Sequence, residues 1–457
     1  MKPSLPAASR TARGQTAVDF GRVQPAKQSS WCIQSSARES LADNLPVCKA
    51  VCDSFLSEKI ARMSSFIQNI HMQTFLLIVL LIFTINLQAA PKELMVYIGT
   101  YTRAEEQGIH WLKLDLGTGK LSEVGKLAGQ KNPSFLAIHP NKKFLYAVNE
   151  IGDFKGEKAG GMSAYAIDPK TGALTFLNQQ SSKGGAPCHL VVDASGRNVL
   201  VANYTGGSVA SLRIARKSGR LRRASAFIQH EGSSVLKPRQ AAPHAHSINV
   251  SPGGKFAVAA DLGLDKVLVY GFDAKAGTLK PAGFAKVAPG AGPRHFAFHP
   301  GGKFGYVINE ITLTVTAFAW DEGKGKLTEL QTISTLPEER GKGMSTAEVR
   351  VHPSGKFLYG SNRGHNTIAV FSIDQKTGKL KAVQHQSTLG KTPRNFNIDP
   401  TGKFLVAANQ SSGDIFTFHI NQDTGKLKPT GHSVKVPLPV CVRFLELGSD
   451  HQYCFRY

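Results

Sequence analysis

Asp115-Leu116-Gly117-Thr118-Gly119-Lys120-Leu121, Asp168-Pro169-Lys170-Thr171-Gly172-Ala173-Leu174, Asp374-Gln375-Lys376-Thr377-Gly378-Lys379-Leu380 and Asn421-Gln422-Asp423-Thr424-Gly425-Lys426-Leu427 are copies of one phrase. Its core, Gly-x-Leu, returns at Gly219, Gly277 and Gly325, giving seven copies at steps of 47 to 58 residues. A polar run carrying Gly between two apolar runs is hairpin chemistry: Gly supplies φ > 0 and Asp or Asn closes the turn. A period near fifty residues means stacked supersecondary units, so the fold is read from the repeat first.

The copy over 289–327 shows what one unit contains. Pro293 to Phe298 alternates and ends at His299-Pro300. Gly301-Gly302-Lys303 is a turn, and Phe304 to Asn309 a second apolar run. Thr312 to Trp320 is a third, and Leu330 to Ser334 begins a fourth beyond the Gly-Lys-Leu turn. Four short β runs with no helix-period segment between them predict a four-stranded antiparallel blade. Seven such blades predict an all-β, seven-bladed β-propeller, in which each sheet is buried between its neighbours. Met95 to Thr100 precedes any complete unit, and the last unit, near Val440, lacks its outer strands. The N-terminal strand is therefore expected to complete the last blade and close the ring.

The 457 residues suffice for one such ring, over 91–457, and a leader. Residues 1–62 are Ser-, Ala- and Gln-rich and show no repeat. Residues 63–90 carry the apolar run Phe75 to Leu87, followed by Gln88-Ala89-Ala90. That is the shape of a secretory signal, too short for a comfortable membrane span. Translation starting at Met63 or Met72 would put it at an N-terminus; the alternative is a long tail with an uncleaved anchor. The protein is expected to be exported if the 72–90 signal operates, and cytoplasmic otherwise. Of six cysteines, Cys32, Cys48 and Cys52 lie in the leader; Cys188, Cys441 and Cys454 form neither a disulfide framework nor a zinc pattern. The net charge of +23 attracts anions. Many of the lysines sit in hairpin turns, however, and no basic block interleaved with aromatics marks a nucleic-acid groove.

Positions alike in every copy do structural work; positions that differ sharply at the same place in the blade are candidates for function. In the first strand, six residues before its terminal Pro or equivalent, one column reads Ser134, Cys188, His246, Arg294, Ala347, Arg394. The second strand ends in a nearly constant column, Asn149, Asn203, Asp261, Asn309, Asn362, Asn409, read as a turn-closing Asx. The next column, Glu150, Tyr204, Leu262, Glu310, Arg363, Gln410, changes charge from copy to copy. The first strand starts where the second ends, so both variable columns open on one face of the ring. His246, Arg294, Glu310 and Arg363 are the candidate catalytic group; Arg394 and Glu150 are outer members, and His244 and His295 flank them as candidate substrate-binding residues. Arg suits planar anions, and Glu and His suit acid/base work. Inter-blade ion pairing accounts equally well for any single Arg–Glu pair. His139, His299 and His352, before Pro or at strand ends, read as structural.

With these residues in place, the chain resembles the seven-bladed propeller lactonases, which include propeller-type 6-phosphogluconolactonase and the fungal 3-carboxy-cis,cis-muconate lactonizing enzyme. The resemblance covers about residues 94–445. It rests on Tyr97-Ile98-Gly99-Thr100-Tyr101-Thr102, Pro243-His244-Ala245-His246-Ser247, Gly292-Pro293-Arg294-His295-Phe296-Ala297-Phe298-His299-Pro300, Val307-Ile308-Asn309-Glu310 and Ser361-Asn362-Arg363. It implies a catalytic His, two Arg and a Glu, which match His246, Arg294, Arg363 and Glu310. The tail beyond Leu445 departs from the family.

The first expectation is lactone hydrolysis, a carboxylic ester hydrolase acting on a sugar-acid lactone such as 6-phosphogluconolactone, with Glu310 or His246 activating water. An exported binding propeller without catalysis and a muconate-type cycloisomerase are the alternatives. No metal and no cofactor are expected; the metal constellation of the calcium-dependent gluconolactonases is not evident. Expected partners are a small anionic lactone, no nucleic acid and no membrane beyond the leader, with the protein a monomer or weak dimer.

Overall fold

A computed structural model describes residues 57–59, 61–68, 72, 92–104 and 107–447. The chain divides into two units, Met1–Ala89 and Ala90–Tyr457. In the first, residues 57–59 and 61–68 are helical; the rest of the leader, its apolar run and the tail from 448 lie outside the described residues. No described helix is long and apolar enough to cross a membrane.

The second unit is seven four-stranded antiparallel sheets. Six are continuous in sequence, with innermost strands Leu136–Ile138, Pro187–Val192, Ala245–Val250, Pro293–Phe298, Ser345–Val351 and Pro393–Ile398. They are taken in that order as the first to sixth blades. The seventh, closing blade joins the two ends of the ring. Pro439–Leu445 is its innermost strand, and Glu93–Thr100, Gly108–Asp115 and Leu121–Ala128 are the outer three. Three N-terminal strands rather than one thus complete the last blade. Met95 pairs with Leu445 and Gly99 with Cys441 in the seam. The fourth strand of the fourth blade starts at Lys326, directly behind the glycine, and not at Leu330.

The Gly-x-Leu repeat has a physical cause. Each turn glycine has φ between 62° and 76°, the left-handed region that side chains disfavour. A Cβ there would also strike the neighbouring blade: Phe144 at Gly219, Phe256 at Gly325, Phe304 at Gly378, Phe357 at Gly425. The glycine carbonyl then accepts a hydroxyl from that neighbour: Tyr97 to Gly172 (2.6 Å), Tyr146 to Gly219 (2.9 Å), Tyr306 to Gly378 (3.0 Å) and Tyr359 to Gly425 (2.8 Å). Thr417 to Gly119 (2.7 Å) makes the same link across the closure. His139, His299 and His352 donate to Gly196, Gly355 and Gly402 of the next blade, each at 2.9 Å, and so are structural.

The constant Asx column does more than close its own turn. Asn362 Nδ2 donates to Thr335 O of the preceding blade (2.8 Å) and to Thr367 of its own (3.2 Å), and Asn203 and Asn409 do the same with Ser182 and Thr388. The turn-closing role expected is also present: Asn203, Asn309 and Asn409 reach Ser208, Thr314 and Asp414 across their own turns at 2.9 to 3.1 Å, and Asp261 accepts Gly263 N at 3.0 Å. These buried side chains fix the blade ends that carry the variable column.

Candidate active site

A register irregularity opens the innermost strand in five blades, between Pro187 and His189, Ala245 and Ser247, Pro293 and His295, Thr346 and Val349, and Pro393 and Asn395. A bulge re-aims side chains. It lets two successive residues face the axis where a regular strand would turn the second away. The axis is therefore lined in layers. The outermost holds Ser134, Cys188, His246, Arg294 and Arg394; the next holds Phe135, His189, His295, Glu348 and Asn395.

An axial pocket with a cavity volume of only about 10 Å³ is lined by Tyr101, Ser134, Phe135, Glu150, Cys188, His246, Arg294, His295, Arg394 and Val440. Five of the eight candidate residues thus line one pocket. Glu310 and Arg363 stand beside it as its ionic wall. His244 lies off the pocket, stacked on Tyr204 with ring centroids 4.7 Å apart and Nδ1 3.0 Å from Tyr204 O.

Glu310 is the hub. Its Oε2 accepts Arg294 Nε and Arg363 Nη2, both at 2.9 Å, and lies 4.0 Å from His246 Nε2. Its Oε1 accepts Arg239 Nη2 at 2.6 Å. Arg239 was not among the sequence candidates; it comes from the helical turn Lys237–Gln240 in the segment between the second and third blades. Arg294 Nη1 also donates to Ala347 O at 2.7 Å, and Arg363 Nη2 to Thr346 O at 2.7 Å.

Burial opposes every charge in this group. For Glu310 that effect is outweighed by Arg363, Arg294 and His246 and by the Arg239 hydrogen bond, so its carboxyl sits well below the ordinary range. One carboxylate cannot do as much for three cations. Arg294 is drawn down by burial and by Arg394, and Arg363 falls to about 10 through burial, still cationic at neutral pH. Burial, and Arg294 next, hold His246 well below its usual value, so it is a neutral imidazole. Burial keeps the Cys188 thiol protonated, which argues against a thiolate nucleophile.

Across the pocket, Glu150 accepts Tyr101 Oη (2.9 and 3.0 Å) and Ser134 Oγ. Arg394 Nη2 donates to Tyr101 Oη at 3.0 Å and lies over its ring at 5.3 Å. Among the described residues Arg394 has no carboxylate within salt-bridge distance. His295 gives its Nδ1 to Glu348 at 3.0 Å, and its buried Nε2 has no partner among the described residues. Glu348 also accepts Asn395 Nδ2 and Arg350 Nη2. Among the described residues no group of three His, Cys, Asp or Glu is placed to hold a metal ion.

His189, His246 and His295 are all held well below 6.5, chiefly by burial. Below about 6.5 the unfolded chain takes up protons that the folded one refuses, so stability falls with falling pH. The limiting slope is about 1.4 kcal/mol per pH unit for each histidine. Glu310, depressed, still contributes fully in this window and is lost only at lower pH. Melting temperature is expected to drop steadily from pH 7 to pH 5; a flat profile would contradict buried neutral imidazoles.

A family model described as lactonase, 7-bladed beta-propeller, matches residues 95–444. The chain is 39% identical over 349 residues to the 6-phosphogluconolactonase of Bacillus subtilis strain 168, spanning 76% of this chain and 97% of that protein. Among solved structures, a putative 6-phosphogluconolactonase from Bacteroides fragilis superposes with a TM-score of 0.73 at 35% identity, over 79% of this chain and 100% of that one. The periplasmic gluconolactonase of Pseudomonas aeruginosa superposes with a TM-score of 0.72 at 33% identity, over 78% and 100%.

Proposed function

The chain belongs to the seven-bladed β-propeller lactonases, and from that premise we propose that it hydrolyses the ring ester of a sugar-acid lactone in its axial pocket. The observation that carries the reading is the neutral His246 imidazole at the pocket wall, with the Glu310 carboxylate 4.0 Å from its Nε2. In this reading His246 takes a proton from water as the water oxygen attacks the lactone carbonyl. Arg394, whose guanidinium is not committed to a carboxylate, stabilises the tetrahedral oxyanion. The intermediate collapses with breakage of the ring C–O bond, and the imidazolium returns the proton to the leaving ring oxygen. Glu310 is held too acidic to be an effective base. Its role is to stabilise the imidazolium and to fix Arg294 and Arg363.

The relatives divide over the substrate. One is named for the phosphorylated lactone, and a periplasmic neighbour is named gluconolactonase. Arg239, its side chain 45% exposed at the rim, favours an anionic substituent, and 6-phosphogluconolactone is the substrate proposed first. The unphosphorylated lactone is the second reading, favoured by that periplasmic neighbour and by the secretory shape of residues 75–90. Arg239→Ala is expected to raise KM for 6-phosphogluconolactone about tenfold, the loss of one charge-assisted hydrogen bond, and to leave glucono-δ-lactone unchanged. Equal shifts for both substrates would mean that Arg239 acts only through Glu310.

A further inference from the structure

The lactonase reading uses one end of the axis, where the innermost strands begin and the second strands end. Three residues further along each strand, roughly 10 Å at about 3.3 Å per residue, the same strands line the other end of the axis. That column contains Asn249, Arg350, Asn397 and Arg443, from the third, fifth, sixth and closing blades. All four line a second pocket of about 350 Å³, walled otherwise by His189 and by apolar side chains such as Ile138, Ile398 and Phe444. A buried layer separates it from the first pocket. Phe135 packs 4.3 Å from His189 and 5.7 Å from His295 between ring centroids, and Glu348 ties His295 to Asn395 and Arg350.

Two features of this far mouth point to a ligand. First, it has two arginines and no Asp or Glu in its lining. Arg443 gives Nε to Leu136 O (2.8 Å) and Nη1 to Val442 O (2.7 Å) and lies 4.5 Å over the Phe135 ring, so its hydrogen bonds go to carbonyls that carry no countercharge. Among the described residues Arg350 reaches Glu348 alone, at 3.3 Å through Nη2, and that carboxylate is shared with His295 and Asn395. Second, Arg350 Nε and Asn249 Nδ2 are buried donors without a partner among the described residues. Buried donors are ordinarily paired, and here two of them accompany a surplus of positive charge.

We propose that the far mouth of the channel is a binding site for a small organic carboxylate, held by Arg350 and Arg443 with Asn249 as a further donor. Arg presents the planar fork that a carboxylate matches, and the apolar walls suit a carbon chain better than a bare inorganic anion. The proposal does not depend on the hydrolytic reading of the other pocket.

The test is titration calorimetry of the full chain with succinate and, separately, inorganic phosphate, repeated on three variants. Succinate is expected to bind in the millimolar range or tighter, with phosphate weaker. Arg394→Ala, which alters the catalytic pocket, should leave succinate affinity unchanged. Arg350→Gln and Asn249→Leu should each weaken it, Arg350→Gln at least tenfold. Asn249→Leu keeps the test open if Arg350→Gln fails to fold. Binding lost in Arg394→Ala but kept in the other two would place the anion in the upper pocket and overturn the proposal. Tighter binding of phosphate than of succinate, or no binding of succinate, would overturn it equally.

Discussion

His246→Asn lowers kcat for lactone hydrolysis by about 10²- to 10⁴-fold, the range for loss of a positioned acid/base group, while KM changes little. The imidazole is 5% exposed and neutral, and asparagine fills most of its volume, so the fold should survive. Two controls separate chemistry from structure. Melting temperature should stay near that of the parent. The parent's kcat/KM, after subtraction of spontaneous hydrolysis, should show no ionisation near 6.5, because burial and Arg294 keep His246 deprotonated well below that value. A variant that keeps its rate would remove His246 from the chemistry. The other axial imidazole, His295, would then be the next candidate, since Glu348 on its Nδ1 leaves Nε2 beside the pocket and unpartnered among the described residues.

Glu310→Ala has the largest expected effect on stability. It leaves Arg294, 2% exposed, with one backbone carbonyl and no carboxylate, and strips the same partner from Arg363 and Arg239. Removing one member of a buried ion cluster costs about 3–5 kcal/mol. The cost should come from stranded charge, so Arg294→Leu placed on top of Glu310→Ala should recover part of it. Hydrolysis should be lost in both. Urea unfolding monitored by circular dichroism reads the difference. A loss below about 1 kcal/mol, in the range of exposed ion pairs, would show that solvent reaches the cluster in solution.

The ring was legible because one steric demand recurs. A turn that must take φ > 0, and must let a neighbouring side chain lie against it (Phe or Met in six copies, Asn198, Arg213 and Ser225 at Gly277), admits only glycine, so Gly119 to Gly425 write the period into the sequence. The rim was legible for a related reason. Structural positions repeat, so His246, Arg294, Glu310 and Arg363 stood out as unlike residues at like places, and the fold brings them together around one carboxylate. Three residues escaped that comparison. Tyr101, which bridges Arg394 and Glu150, is the seventh member of the variable column, but its blade closes only when the two chain ends meet. Arg239 belongs to no column. It lies in the longest step of the repeat, between Gly219 and Gly277, and the extra residues there were the available signal. Glu348 follows Ala347 in the innermost strand, and alternation would turn it away from the axis; the bulge that turns it inward leaves no mark in the alternating pattern. The Asx column was read correctly but incompletely. Asn203, Asn362 and Asn409 close their own turns and also reach the preceding blade, and a side-chain amide that serves both contacts leaves no separate mark in the sequence.

The central claim is that this pocket adds water to a lactone. It is tested most directly by turnover of 6-phosphogluconolactone and glucono-δ-lactone by the purified chain in a pH-stat, run in ¹⁸O-labelled water with spontaneous hydrolysis subtracted. The account predicts acid release above background on at least one of the two, abolished in His246→Asn, with one labelled oxygen in the product carboxylate. Release no faster than the spontaneous reaction on both substrates, or a rate unchanged in His246→Asn, would contradict it.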